Sequence, residues 1–266
     1  MHPRISLHQV AFAGEPTALF LDHCRAIGVG SVTLATPLLD RPGELEAALE
    51  ARDLQVACLN HPFAARAGLE GDGGEAAAGL LRAIDLAATL GARSIYMLTG
   101  ARGSLDWETA ADRFAALVEP CKAAAEAKGI ALLVENANAF NADRHIAHTL
   151  HDAIALAEIA GIGLCLELHA CWGEAGLGRL IRHAAPFTGL VQVSDYVLGD
   201  RSSPARAVPG DGVILLERLI GQVLEAGYRG LFDLELVGPR IDAEGPRAAT
   251  TRAATYLSDL LTRLGA

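Results

Sequence analysis

The sequence predicts an α/β protein that forms a single (β/α)8 TIM barrel over residues 1–266, and three observations support this fold class. Eight short apolar segments alternate with eight amphipathic or Ala/Leu-rich segments. The connections are mostly short, and the composition does not change along the chain. Each of the last four apolar segments carries a polar residue near its end, where barrel enzymes place their chemistry. The alternative is a doubly wound open sheet, but no G-x-G-x-x-G motif follows the first strand.

The apolar segments define the expected strands, and the segments between them define the expected helices. The strands are expected at 4–9, 31–35, 54–59, 93–98, 131–135, 163–168, 189–194 and 231–236. The helices are expected near 15–28, 42–52, 75–91, 106–128, 144–160, 174–184, 213–227 and 244–264. Gly28, Gly91 and Gly227 each stand at the end of a helical segment, as is typical of a helix cap before the next strand. Pro16 and Asp143 mark helix starts.

Composition excludes several classes of protein. The 32 acidic residues outnumber the 22 basic ones, and a net charge of −10 repels a phosphate backbone, so no nucleic-acid partner is expected. Five cysteines without a C-x-x-C pair predict neither a disulfide framework nor a zinc knuckle. The sequence shows no signal peptide and no apolar run of about 18 residues, so we expect a cytoplasmic protein that does not enter a membrane.

The polar residues of the last four strands share one side of the barrel wall. They are Glu135, Glu167, Gln192, Asp233 and Glu235. Because successive side chains of a strand alternate between faces, Glu135 lies on the face of Leu133, Glu167 on that of Cys165 and His169, and Gln192 on that of Leu190 and Ser194. We therefore expect these polar side chains to converge inside the barrel, near its upper end.

Three carboxylates within a few ångströms need a counter-charge, because burying an uncompensated charge is costly. No Lys or Arg lies on these strands. A divalent cation supplies the charge, and oxygen ligands suit Mg²⁺ or Mn²⁺ better than Zn²⁺. The alternative is that each polar residue is simply hydrogen-bonded within the core.

The motifs around these residues resemble the xylose isomerase-like barrel superfamily of sugar isomerases and epimerases over essentially the whole chain. They are Leu-Leu-Val-Glu135-Asn136, the Glu167 strand, Val-Gln192-Val-Ser-Asp195 and Gly-Tyr-Arg-Gly-Leu-Phe-Asp-Leu-Glu235. The resemblance implies that the metal ligands are Glu135, Glu167, Gln192 and Glu235, and that Glu135 and Glu235 are the catalytic acid and base. At the third ligand position the family has either His or Gln. Gln192 at this position resembles the hydroxypyruvate isomerase and 3-dehydroshikimate dehydratase branches.

The chain departs from the family pattern at its second ligand position. Glu167 stands where the family commonly has Asp, and its carboxylate reaches about one bond further. His169 stands two residues beyond this ligand, whereas the family often has a His three residues beyond it. These departures bear on the substrate more than on metal binding.

Further residues are candidates for contact with a substrate. They are Asn136, His61, His169 and Arg206. Arg206 precedes a Pro-Gly-Asp-Gly segment that resembles the family's substrate-binding loop, although a surface Arg on a turn-rich loop is the alternative. His61 and His169 also have an alternative, as packing or hydrogen-bonding residues. His8, Gln9 and Asn60 lie at the ends of the early strands and complete the candidates.

The resemblance implies an enzyme of carbohydrate metabolism. It implies a divalent-metal-dependent isomerase or epimerase that removes a proton next to the carbonyl of a small sugar or hydroxy-ketone, through a metal-stabilised enediolate. Mn²⁺ or Mg²⁺ is the expected ion, with Co²⁺ or Zn²⁺ as alternatives. The second reading is a dehydratase of a cyclic polyhydroxy ketone, such as 3-dehydroshikimate or an inosose. An apurinic-site endonuclease and a non-catalytic barrel are remoter readings. The partner is a small molecule, and dimers or tetramers are common among similar proteins, so a homo-oligomer is a further expectation.

Overall fold

The computed structural model describes residues 1–266, and its eight parallel strands close into a barrel. The strands are β1 Ile5–His8, β2 Ser31–Ala35, β3 Gln55–Pro62, β4 Ser94–Leu98, β5 Ala131–Glu135, β6 Gly163–Glu167, β7 Thr188–Val193 and β8 Leu231–Leu234. Each strand pairs with its neighbours in the sequence, and β8 pairs with β1. The predicted (β/α)8 barrel is confirmed.

Eleven α-helices connect the strands. They are α1 Thr17–Ala26, α2 Leu45–Glu50, α3 Gly68–Gly71, α4 Glu75–Thr89, α5 Trp107–Ala127, α6 Leu150–Ala160, α7 Leu168–Cys171, α8 Leu177–Ala184, α9 Leu216–Glu225, α10 Pro239–Glu244 and α11 Pro246–Arg263. Eight of them match the expected helices, whereas the short α3, α7 and α10 were not expected. None of the helices combines the length and the apolar composition needed to cross a bilayer.

Several predicted boundaries in the second half of the chain differ from those in the structure, and two of these differences change the position of site residues. The helix expected from residue 144 begins at Leu150, because the side chain of Thr149 caps it by accepting a hydrogen bond from the Asp152 N–H. The strand expected to reach residue 168 ends at Glu167, and α7 follows at once. His169 therefore lies on a helix, and strand alternation does not determine its direction.

The apolar core has two layers, on either side of the strands. The outer layer, between strands and helices, contains Val134, Leu166 and Val191. The inner layer fills the barrel and consists of Ala57, Cys58, Tyr96, Leu133, Cys165 and Leu190. The alternation predicted for β5, β6 and β7 is thus observed. The inner layer is the apolar floor on which the polar residues at the upper strand ends lie.

Candidate active site

A cavity of about 270 Å³ opens at the carboxyl ends of the strands. Its wall includes the side chains of Glu135, Glu167 and Glu235, whose carboxylate oxygens lie within 4.8 Å of one another. A larger cavity of about 620 Å³ lies outside the barrel, between the loop after β7 and α10. Its acidic residues, such as Asp200, Asp211 and Glu244, are paired with arginines on the surface. The candidate metal-binding and catalytic carboxylates therefore lie in the smaller cavity.

The three glutamates of this cavity form a buried acidic cluster. Glu135 and Glu167 are the last residues of β5 and β6, and Glu235 follows β8 directly. Burial, and then the negative charges of Glu235 and Glu167, raise the pKa of Glu135 well above its usual range. Burial also raises the pKa of Glu167, although the Arg206 guanidinium opposes this change. Such a cluster requires positive charge nearby.

Gln192 lies beside this cluster with its polar atoms unpaired. In the barrel register it is the neighbour of Glu167 on one side and of Asp233 on the other. Its side chain is completely buried, and neither its Oε1 nor its Nε2 has a hydrogen-bond partner. A buried amide without partners costs about 1–3 kcal/mol. An oxygen donor that is held without a partner beside Glu167 and Asp233 is suited to bind a hard cation.

Arg206 supplies one positive charge to the cluster, and it comes from the loop after β7. Its Nη1 pairs with Oε2 of Glu167 and donates a hydrogen bond of 3.0 Å to Oγ of Ser194. Its Nη2 lies 2.8 Å from Oε2 of Glu235. Only 12% of the side chain is exposed. The expectation that a metal alone compensates the carboxylates was therefore incomplete, because it considered only the residues on the strands.

The carboxylate of Asp195 builds the loop that carries Arg206. It accepts hydrogen bonds from four backbone N–H groups, those of Tyr196, Gly210, Gly212 and Ile214, at 2.8–3.0 Å. The Asp195 backbone also pairs with Ala207 in both directions, at 2.9 and 2.8 Å. The Arg206 N–H donates to the Val237 carbonyl at 3.1 Å. This network fixes the backbone on both sides of Arg206 against the barrel.

Asn136 does not line the cavity, although the sequence makes it a candidate substrate contact. Its side chain is completely buried, donates to the Glu167 carbonyl at 2.9 Å and accepts from the Glu167 N–H at 2.9 Å. Both hydrogen-bonding ends of the carboxamide thus contact the Glu167 backbone. Asn136 positions the end of β6 relative to β5.

His145 holds the end of β5, and the sequence did not indicate this role because the residue fell within an expected helix. Its Nδ1 accepts from the Thr99 N–H at 3.0 Å, so the neutral ring carries its proton on Nε2. That Nε2 donates to the Glu135 carbonyl at 2.7 Å. Burial lowers the pKa of His145 to about 3. The neutral ring therefore links Thr99, after β4, to the end of β5, where Glu135 enters the acidic cluster.

His169 and His61 have different positions relative to the cavity. His169 lines it, and its backbone N–H donates to Oε1 of Glu167 at 2.8 Å. His61 does not line it, since Cys58 and Asn60 of β3 face the interior and His61 faces the helix layer. Its Nδ1 lies 3.4 Å from Oγ1 of Thr36, and burial lowers its pKa to about 4. We therefore expect Asn60, rather than His61, to contact a ligand.

Several other polar residues complete the cavity wall. They are His8, Asn60, Asn138, Asn141, Arg144 and Ser203. The Nδ1 of His8 accepts from the Val10 N–H at 2.9 Å, so its Nε2 donates to Oη of Tyr96 at 2.9 Å. His8 and Asn60 were predictable as candidates from the sequence, because they lie at the ends of early strands. Asn138, Asn141, Arg144 and Ser203 lie in loops and gave no periodic signal.

The family model described as xylose isomerase-like TIM barrel matches residues 21–260. A curated hydroxypyruvate isomerase homologue of Streptomyces coelicolor is 31% identical over 235 residues, which cover 79% of this chain and 81% of that relative. Two solved structures have the same fold. The IolI protein with a bound zinc atom has a TM-score of 0.83 at 15% identity, covering 98% of this chain and 99% of IolI. An L-ribulose 3-epimerase has a TM-score of 0.79 at 20% identity, covering 100% and 96%.

Proposed function

Because the chain belongs to the xylose isomerase-like TIM barrel family, we propose that it is a divalent-metal-dependent isomerase or epimerase of a small sugar or hydroxy-ketone. The observation that carries the proposal is the cluster of Glu135, Glu167 and Glu235 at the barrel mouth. The name of the Streptomyces relative and the epimerase among the structural neighbours support the reaction class. A cavity of about 270 Å³ suits a small ligand, since pockets for drug-sized molecules begin at about 300 Å³.

The donor set fits a divalent cation. Glu135, Glu167, Gln192 and Glu235 would hold it through three carboxylates and one amide oxygen, and the unpaired amide of Gln192 is the structural observation that supports this fit. Oxygen donors favour Mg²⁺ or Mn²⁺, while the zinc atom in IolI keeps Zn²⁺ as an alternative. When bound, such an ion polarises a carbonyl and stabilises the negative charge that develops when a neighbouring C–H loses its proton.

The side chains of the cavity would move the proton and orient the substrate. We assign removal and return of the proton to the carboxyl groups of Glu135 and Glu235, which both line the cavity. Arg206, held by the loop around Asp195, would direct its remaining hydrogen-bonding capacity at a substrate oxygen. Asn60 on β3 would fix a hydroxyl group, whereas both ring nitrogens of His8 are already hydrogen-bonded to Val10 and Tyr96. The barrel floor of apolar side chains excludes water from below.

The test is proton exchange at the carbon next to the carbonyl. Purified protein with Mn²⁺ is incubated with a panel of ketoses and hydroxy-ketones in D₂O, and deuterium incorporation is followed by NMR. We expect Glu135→Gln and Glu235→Gln each to lower exchange and turnover by about 10²–10⁴-fold, as is typical of lost acid–base catalysis. Glu108→Gln on the exposed side of α5 is the matched control. Full activity in both site variants would contradict the assignment.

A dehydratase is the second candidate, because Gln192 occupies the third ligand position, as it does in the 3-dehydroshikimate dehydratase branch that the sequence resembles. The same carboxylates could remove the proton while a hydroxyl group leaves from the next carbon. Loss of water from a cyclic polyhydroxy ketone, without isomerisation of any ketose, would favour this reading. We do not propose an endonuclease, because the one cluster of metal-ligating side chains consists of carboxylates, whereas that activity would need a His-rich three-zinc site.

A further inference from the structure

Arg144 is a charged residue of the cavity wall that the proposed reaction does not use. The wall contains two arginines, Arg144 and Arg206. Arg206 is paired with Glu167 and Glu235. The guanidinium of Arg144 has no hydrogen-bond or ion-pair partner, and the side chain is exposed at the mouth. Of the two arginines in the cavity wall, Arg144 is therefore the one whose positive charge is not paired with a carboxylate.

The backbone of Arg144 is fixed although its guanidinium is free. Its carbonyl accepts a hydrogen bond from the Gly100 N–H at 3.0 Å, and its N–H donates to the Asn141 carbonyl at 2.9 Å. The next residue, His145, is buried and bonded to the Glu135 carbonyl. The base of the Arg144 side chain thus has a defined position relative to the acidic cluster. A long side chain anchored in this way can reach a ligand group at the cavity mouth.

The charge balance of the cavity indicates what Arg144 would meet. The only carboxylates in the wall are Glu135, Glu167 and Glu235, and together they carry three negative charges when a cation is bound. Arg206 and a divalent cation bring three positive charges. Arg144 then leaves one positive charge at the mouth of the cavity. A ligand with one negative charge would make the filled cavity neutral.

On the basis of the proposed function, we propose that the substrate is a small hydroxy-ketone or sugar that carries an oxyanion, and that Arg144 is the specificity-determining residue that binds this group. A guanidinium binds a carboxylate or a phosphate through two parallel hydrogen bonds. The amides of Asn138 and Asn141 and the hydroxyl of Ser203 lie in the same wall and can complete the binding of the anion. A carboxylate and a phosphate share this chemistry, so the experiment must separate them.

Three probes with the same hydroxy-ketone group separate these cases. Dihydroxyacetone is neutral, hydroxypyruvate has a carboxylate in place of one hydroxymethyl group, and dihydroxyacetone phosphate has a phosphate ester. Their affinities for the Mn²⁺-loaded protein are measured by calorimetry. We expect one of the anionic probes to bind about ten- to a hundred-fold more tightly than dihydroxyacetone, the range of a charge-assisted hydrogen bond. The preferred probe identifies the anion.

Substitutions then assign this preference to one residue. Arg144→Gln should remove the preference and leave the affinity for dihydroxyacetone unchanged, whereas Arg144→Lys should keep part of it. Arg102→Gln is the matched control, since it removes an exposed arginine from the loop after β4 at the same end of the barrel, outside the cavity wall. Arg102→Gln should keep the preference of the wild type.

The outcomes distinguish this inference from the proposed function. If Mn²⁺ binds and the three probes bind equally well, or if none binds at millimolar concentration, the anion inference is overturned and the metal site stands. If Arg144→Gln keeps the preference, Arg144 is not the group that binds the anion. If Mn²⁺ does not bind the wild-type protein, the proposed function fails, and the present inference fails with it.

Discussion

The carboxamide of Asn136 forms hydrogen bonds with both the N–H and the carbonyl of Glu167, each at 2.9 Å. These two bonds join the upper ends of β5 and β6, where Glu135 and Glu167 enter the acidic cluster. A residue that contacts neither the cavity nor a ligand thereby sets the distance between two candidate metal ligands. Substitution of residues that orient metal ligands typically lowers metal affinity by about 10–100-fold.

Asn136→Ala should therefore weaken both the fold and the metal site. The substitution leaves two buried backbone groups of Glu167 without partners, so we expect the free energy of unfolding to fall by about 2–4 kcal/mol. Mn²⁺ affinity should fall by about ten-fold or more. Urea denaturation and calorimetry measure the two effects. Asn138→Ala is the control, because that residue caps a short turn at Phe140 and makes no hydrogen bond to the Glu167 backbone; it should change stability by about 1 kcal/mol. Equal effects of the two variants would contradict the positioning role.

Arg206→Gln should destabilise the metal-free protein and strengthen metal binding. Without the guanidinium, Glu167 and Glu235 lose their ion pairs, and we expect the metal-free protein to lose about 3 kcal/mol of stability. Mn²⁺ would then no longer be repelled by a neighbouring cation, so it should raise the melting temperature more than it does in the wild type. Arg240→Gln, which breaks a surface pair with Asp200, is the control. A metal-induced shift no larger than that of the wild type would contradict this expectation.

Gly212→Ala should disturb the loop that carries Arg206. A methyl group at Gly212 would overlap with the carboxylate of Asp195 and with the carbonyl of Tyr196. Because one obstacle is backbone, we expect a loss of about 1–3 kcal/mol in unfolding free energy. Gly221→Ala, within α9 and without neighbours around the added methyl group, should instead stabilise the protein by about 0.5–1 kcal/mol. Thermal denaturation of both variants gives the comparison, and a stabilised Gly212→Ala protein would contradict the role of the loop.

His61 should make stability depend on pH. Its folded pKa of about 4 lies below the usual value of 6.5, because burial disfavours the charged ring. Below about pH 6.5 the unfolded chain binds a proton that the folded protein does not, so His61 makes the folded state less stable as the pH falls. Between about pH 7.5 and about pH 5 this effect is about 2 kcal/mol. His61→Gln should flatten the pH profile of the unfolding free energy in this range, and an unchanged profile would contradict the lowered pKa of the half-buried ring.

The sequence was sufficient to predict the barrel and the convergence of its polar residues. Both depend on local periodicity, since apolar runs define strands and alternation places Glu135 on the face of Leu133 and Glu167 on that of Cys165. The closed order of the strands then brings Glu135, Glu167 and Glu235 within 4.8 Å of one another. Short-range patterns and a regular topology together were enough for this part of the site.

The positions of the loop residues were decided only by the tertiary structure. Arg206 enters the cluster because Asp195 binds backbone groups 15–19 residues away, and His145 reaches Glu135 because Thr99, 46 residues earlier, holds its ring. His61 faces the helices, while Asn60 faces the cavity. Hydrogen bonds between segments that are distant in the sequence leave no periodic pattern of residues from which they could be predicted. For this reason the sequence by itself predicted the acidic cluster, whereas only the tertiary structure showed that the guanidinium of Arg206 pairs with it.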